Sequence, residues 1–166
     1  MDESVTGLAG IALEVVDGGA IENMLVERIE MRSGVQTPIF CRVGARAGAP
    51  ARDWHFRNVT IRDVCGSSCS WIASSITGVP SRRIGGVILL KDIDLTVKGG
   101  LVGDVWRRPV PERESDYPEN RMFATPLPAY GFYLRHADGV VFDNVKVRVD
   151  GADPRPMIIR DDCRGK

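Results

Sequence analysis

Residues 130–149 read YGFYLRHADGVVFDNVKVRV. The stretch holds two short runs of alternating apolar and polar residues around a tight turn. In Gly131-Phe132-Tyr133-Leu134-Arg135, Phe132 and Leu134 share one face and Tyr133 and Arg135 the other. In the run from Val141 to Val149, Val145, Val147 and Val149 share a face opposite Lys146 and Arg148. A period of two is strand geometry. Ala137-Asp138-Gly139 lies between the runs, and Asp-Gly is a turn pair.

The same unit recurs upstream. Gly10–Glu14 precedes Ile21–Ile29, Pro38–Arg42 precedes Phe56–Val64, and Ser74–Gly78 precedes Ile84–Ile93. A polar residue or glycine opens the second run at Asn23, Asn58, Gly86 and Asn144, at intervals of 35, 28 and 58 residues. The last interval is one period plus an insertion, placed at Lys98–Ala129, with prolines at 109, 111, 118, 126 and 128 and a mixed-charge run at 111–117. Repeats of roughly 20–50 residues signal stacked units, none of which can bury its apolar face alone. The expected fold is all-β, one domain over residues 1–166 with about four to five strand-built coils. Neither end carries a capping segment, so the chain reads as a fragment of a longer stack. Its open ends would self-associate or be covered by partners.

Bulk properties narrow the partners. The 166 residues are 43% hydrophobic and 27% charged, with a net charge of zero. That balance predicts no general attraction to nucleic acid or an anionic membrane. Neither a membrane-length apolar run nor a secretory leader is legible, and localisation stays open. Cys65-Gly66-Ser67-Ser68-Cys69 has the composition of a small disulfide ring, but unpaired thiols at 41, 65, 69 and 163 are the favoured expectation. Their spacing matches no zinc module. No metal or cofactor is expected.

Taken together, GIALEVVDGGAIENMLVERIEM, TPIFCRVGAR, SSITGVPSRRIGGVILLKDI, YPENRMFATPLPAYGFYLRH and DGVVFDNVKV resemble the C-terminal coils of the pectin-degrading glycoside hydrolases of family 28. The nearest types are polygalacturonase-like and rhamnogalacturonase-like members. The resemblance implies a right-handed parallel β-helix and inverting hydrolysis of galacturonic-acid linkages by aspartates on one sheet. It also implies an acidic pectic polysaccharide as partner and a family that is usually secreted or periplasmic. The family's Asn-Thr-Asp, Asp-Asp and His-Gly motifs have no counterpart in this chain. Its Arg-Ile-Lys motif is replaced by Ala12-Leu13-Glu14. Asp161-Asp162 matches the Asp-Asp pair by letter only, in the last coil.

Strand alternation then assigns an outward surface. Rungs of a parallel sheet lie about 4.8 Å apart, close to one sugar unit. Aligning the first strands sets Arg42, Arg135 and Arg160 in one column with Glu14 at its end, and Phe40 and Tyr133 in the neighbouring column. Arginine forks suit uronate carboxylates, and aromatic rings suit sugar faces. The expected substrate-binding set is therefore Phe40, Arg42, Tyr133, Arg135 and Arg160. Glu14 and His136 are the candidate catalytic groups, although inversion needs two carboxyls. As an outward residue, Arg135 is expected to be replaceable without harm to the fold. A fragment of a glycosidase, a non-catalytic carbohydrate-binding or structural β-helix, and a polysaccharide lyase all remain open.

Overall fold

The computed structural model describes residues 8–32, 34–46 and 54–165; the stretch Arg46–Arg52, whose Gly, Ala and Pro content reads as a loop between two strands, lies mostly outside it. Its strands are β1 (Ala9–Val15), β2 (Gly19–Met31), β3 (Thr37–Val43), β4 (Trp54–Ser67), β5 (Ser74–Thr77), β6 (Gly85–Lys98), β7 (Phe132–Arg135), β8 (Val140–Asp150) and β9 (Ile158–Asp161). The protein is mostly β, and the ladders joining these strands are all parallel. Short odd-numbered strands form one sheet in the order β1-β3-β5-β7-β9. Long even-numbered strands form the other, β2-β4-β6-β8. The chain thus alternates between two sheets, and each odd–even pair makes one rung.

The long strands keep their apolar side chains on one side while changing direction. Inward residues of β4 are Trp54, Phe56, Val59, Ile61 and Val64; those of β6 are Ile88, Leu90, Ile93, Leu95 and Val97. The step between them is two, except across Asn58, Asp63 and Asp92, where it is three. Each of these residues has positive φ (53°, 53° and 50°). A left-handed residue turns the strand and resets its alternation, and Asn and Asp tolerate that conformation best after glycine.

Stacked rungs align these corners into two rows. Asn23, Asn58, Gly86 and Gly139 form the first, and Arg28, Asp63, Asp92 and Asn144 the second, all with φ between 50° and 69°. Side chains bond along the rows: Asn58 Nδ2 donates to Asn23 Oδ1 at 3.4 Å, and Asn144 Nδ2 to Asp92 Oδ1 at 2.6 Å. Asn144 therefore belongs to the second row, in register with Asp92. The expected equivalence with Gly86 is corrected, because Gly139 occupies the first-row corner of that rung.

The odd sheet presents Ile39, Cys41, Ile76, Phe132 and Leu134 to the main core. Its opposite face is also covered. Phe40 and Tyr133 pack with Met122, Phe123 and Leu127 of the insertion in a second apolar cluster. The insertion spans the connection from β6 to β7, with a short 3-10 turn at Val105–Arg107. All four cysteines are unpaired; burial pushes the Cys41 thiol up to about 12.

β9 sits one residue away from its expected register. The carbonyl of Met157 accepts from both Gly131 N–H (3.1 Å) and Phe132 N–H (2.8 Å), so the ladder absorbs an extra residue there. Gly131 permits this approach, since a Cβ would stand 2.7 Å from that oxygen. Arg160 consequently pairs with Leu134, and Asp161 with Arg135.

Gly139 offers a direct test of the corner geometry. A Cβ there would lie 2.0 Å from the Gly86 carbonyl oxygen, whereas Gly103, also left-handed at φ 74°, has open space around it. Gly103→Ala should cost about 1 kcal/mol of conformational strain. Gly139→Ala should cost clearly more, because the neighbouring backbone must also move; paired thermal melts compare the two.

Candidate functional site

The covered face of the odd sheet carries a dense group of charges at the strands' C-terminal ends. Its central column is Glu14, Arg42, Thr77, Arg135 and Asp161 in ladder register. Strand alternation thus brings Glu14, Arg42 and Arg135 into line as expected. Arg160 is corrected: it lies in the Leu134 column, stacks on the Phe142 ring at 5.5 Å and donates to Val140 O at 3.0 Å.

Exposure is the second correction. Phe40, Arg42 and Tyr133 are each 1% exposed. They face outward from the sheet, but the insertion lies over them. Arg42 donates to Thr77 Oγ1 (3.2 Å) and to the carbonyls of Gly78 (3.0 Å), Glu112 (2.8 Å) and Arg113 (3.0 Å). Burial brings this guanidinium down to about 10, and Glu112 and Glu114 oppose the shift. A cation that donates to three backbone carbonyls is a clamp on the loop.

Arg135 has a similar task. It pairs with the Glu112 carboxylate, donates to Val110 O at 2.6 Å and lies 3.3 Å from Asp161 Oδ2. The Nε contact with Asp161 lacks hydrogen-bond alignment and acts through charge. Asp161 also accepts from the Tyr133 hydroxyl at 2.9 Å. Burial and then this hydrogen bond push the Tyr133 phenol up.

His136 continues the group at a left-handed corner, φ 49°. It is 4% exposed. Nδ1 faces Asp162 Oδ2 at 2.7 Å, and Nε2 faces both Glu112 oxygens at 3.1 Å. A neutral ring has one N–H and could donate to only one of these carboxylates. Arg83, from the β5–β6 loop, forms two 2.7 Å bonds to Asp138 and one to Asp162 Oδ2, and lies 3.3 Å from His136 Nδ1. Arg83 hydrogen bonds hold the Asp138 and Asp162 carboxyls below the usual carboxylate range, with His136 adding to the effect at Asp162.

Glu14 stands apart. Burial raises its carboxyl, and its neighbour across the ladder is Arg42, whose guanidinium is committed elsewhere. No hydrogen bond or ion pair joins Glu14 to another described residue.

Glu112, Arg83, Asp138 and Asp162 complete the group, and alternation alone gave no role to any of them. Glu112 is one of five acids in the insertion, whose path over the sheet local pattern does not set. Two cavities lie at the opposite, N-terminal ends of these strands, around Trp71 and Arg121. No family model, curated protein or solved structure matches the chain.

Arg135→Ala should therefore destabilise the protein by about 1–3 kcal/mol, between the surface and buried limits for ion pairs. Hydrogen exchange at 110–114 should accelerate. This reverses the expectation of a silent outward position. Acid should loosen the same region. Asp138 has a depressed folded pKa, so its contribution is present above the unfolded value of about 3.9 and is lost as pH falls through the folded one. Asp138→Asn should lower Tm at pH 7 and flatten the loss of Tm below about pH 4.

Proposed function

We propose that the chain is a segment of right-handed parallel β-helix of the family 28 type, and that its own residues bind an acidic pectic polysaccharide without cleaving it. Two parallel sheets visited alternately by the chain support the architecture. The resemblance of the insertion and of the AYGFYLRH strand that it joins supports the polysaccharide class.

The state of the acids carries the non-catalytic reading. Inverting hydrolysis needs one carboxyl protonated at working pH and a second, ionised one positioned about 6.5–9.5 Å away. Asp138 and Asp162 are held ionised by Arg83. Glu112 and Asp161 are engaged by Arg135. Glu14, whose carboxyl is raised, faces an arginine column and not a second acid.

A hydrolase reading has one observation in its favour. His136 is set between the Glu112 and Asp162 carboxylates, an arrangement able to pass a proton from one to the other.

Incubation with galacturonan and rhamnogalacturonan oligosaccharides, followed by mass spectrometry and retention on immobilised polygalacturonate, separates the readings. Intact sugars with retarded protein are expected. Products with added water would establish the hydrolase, and unsaturated products a lyase.

A further inference from the structure

We infer that the cavity between Ser70–Ile72 and residues 120–127 of the insertion is a binding site for a hydroxylated, negatively charged ring such as a uronic-acid residue. This rests on the reading of the chain as an acidic-polysaccharide binder and moves the site away from the arginine column. The cavity has a volume of about 320 Å³, at the lower end of ligand pockets, which run from about 300 to 1,000 Å³. It shares Ser70, Trp71 and Arg121 with a second cavity of about 450 Å³ that reaches Gln36 and Lys98. The two form neighbouring lobes around Trp71 and Arg121.

The lining specifies the ligand from three sides. Arg121 and Lys98 supply positive charge, and neither lobe is lined by an Asp or Glu. Arg121 is anchored by a 2.9 Å bond from one terminal nitrogen to Gln36 Oε1, which leaves its remaining donors for an anion. Neither cation has an ion-pair partner among the described residues. Trp71 is 38% exposed and offers an apolar ring. Such a ring matches the face of a sugar and is a poor partner for a bare inorganic anion.

Asn120 supplies the third side. It is 5% exposed, and its Nδ2 donates to Leu8 O (2.9 Å), Thr37 Oγ1 (3.2 Å) and Gln36 Oε1 (3.4 Å). The Leu8 and Gln36 oxygens only accept, so the amide cannot be turned round. Its Oδ1 is buried and receives no hydrogen bond from the protein. A buried acceptor without a donor is costly, and a ligand hydroxyl would satisfy it. Charge, ring and acceptor together select a molecule that is anionic, cyclic and hydroxylated.

The walls are also held at a fixed separation. Arg155 and Asp153 form an ion pair with both side chains fully buried. From it Arg155 donates to Leu127 O at 3.1 Å on one wall and to Trp71 O at 2.9 Å on the other. Burial works against the Asp153 charge, but the Arg155 hydrogen bonds outweigh it and leave the carboxyl below its usual range. A pre-organised cavity avoids an ordering cost on binding.

Trigalacturonate and its neutral methyl-ester form, titrated into the folded chain, test the assignment. Trp54 and Trp106 are buried, so tryptophan fluorescence should report mainly on Trp71. Trigalacturonate should bind and change the fluorescence. The methyl ester should bind more weakly, as should Arg121→Gln and Lys98→Gln, by roughly ten- to a hundredfold for a lost charged hydrogen bond. Trp71→Ala should remove the fluorescence response and weaken calorimetric binding while keeping the wild-type melt. Wild-type affinity in all three variants would overturn this site and leave polysaccharide binding intact. A wild-type chain that binds no trigalacturonate would overturn the acidic-polysaccharide reading, and this site with it.

Discussion

Each long strand must turn while its apolar side chains stay on one side, and the rest of the structure depends on how it does so. A plain strand alternates with a period of two, so a turn made within it would throw core residues into solvent. A single left-handed residue solves the geometry by lengthening the inward step from two to three. Repetition of that step in register, at Asn23, Asn58, Gly86 and Gly139 and again at Arg28, Asp63, Asp92 and Asn144, allows the inward columns to continue from rung to rung. Corner side chains then find partners in the rungs on either side, as Asn58 does with Asn23 Oδ1 and the Val87 N–H.

The odd sheet is governed by its cover. Its strands are short, and their outer face would be a pleated surface of aromatic and cationic side chains if left open. The insertion closes it with Met122, Phe123 and Leu127 over Phe40 and Tyr133. Arg42 and Arg135 reach up to hold residues 110–113. Burying those guanidinium groups carries a desolvation cost, offset where they meet carbonyls and carboxylates at short range. The column that would suit a uronate chain in the open is therefore engaged by the protein's own backbone. Charge still available for a ligand lies at the other end of the sheet, where Arg121 and Lys98 border the Trp71 cavities.

Outside these regions, surface charge is matched across the even sheet. Glu22 meets Arg57, Glu27 meets Arg62 and Lys91 meets Asp143 in neighbouring strands. Exposed pairs of this kind add little stability each, but they penalise a slip in register that would set like charges opposite. The neutral net charge of the sequence is accordingly spread as local pairs along the ladders.

Strand periodicity was legible in the sequence because a half-buried strand writes its own alternation. The recurrence of Asn or Gly ahead of the second run was legible because few residues accept a left-handed corner. From these followed the stacked strand-built repeats, the place of the insertion, and the alignment of Glu14, Arg42 and Arg135; the parallel pairing was implied only by the family resemblance. Alternation cannot count a residue absorbed by a shared carbonyl, so the register of β9 and the place of Arg160 were decided only when Met157 met Gly131 and Phe132. Nor can it tell an outward side chain from an exposed one. That Arg42, Phe40 and Tyr133 are buried, and that Asn120, Arg121 and Trp71 meet around a cavity, depends on contacts between residues far apart in the chain. Such contacts are set by how a proline-rich segment packs over a sheet, and no local pattern encodes them.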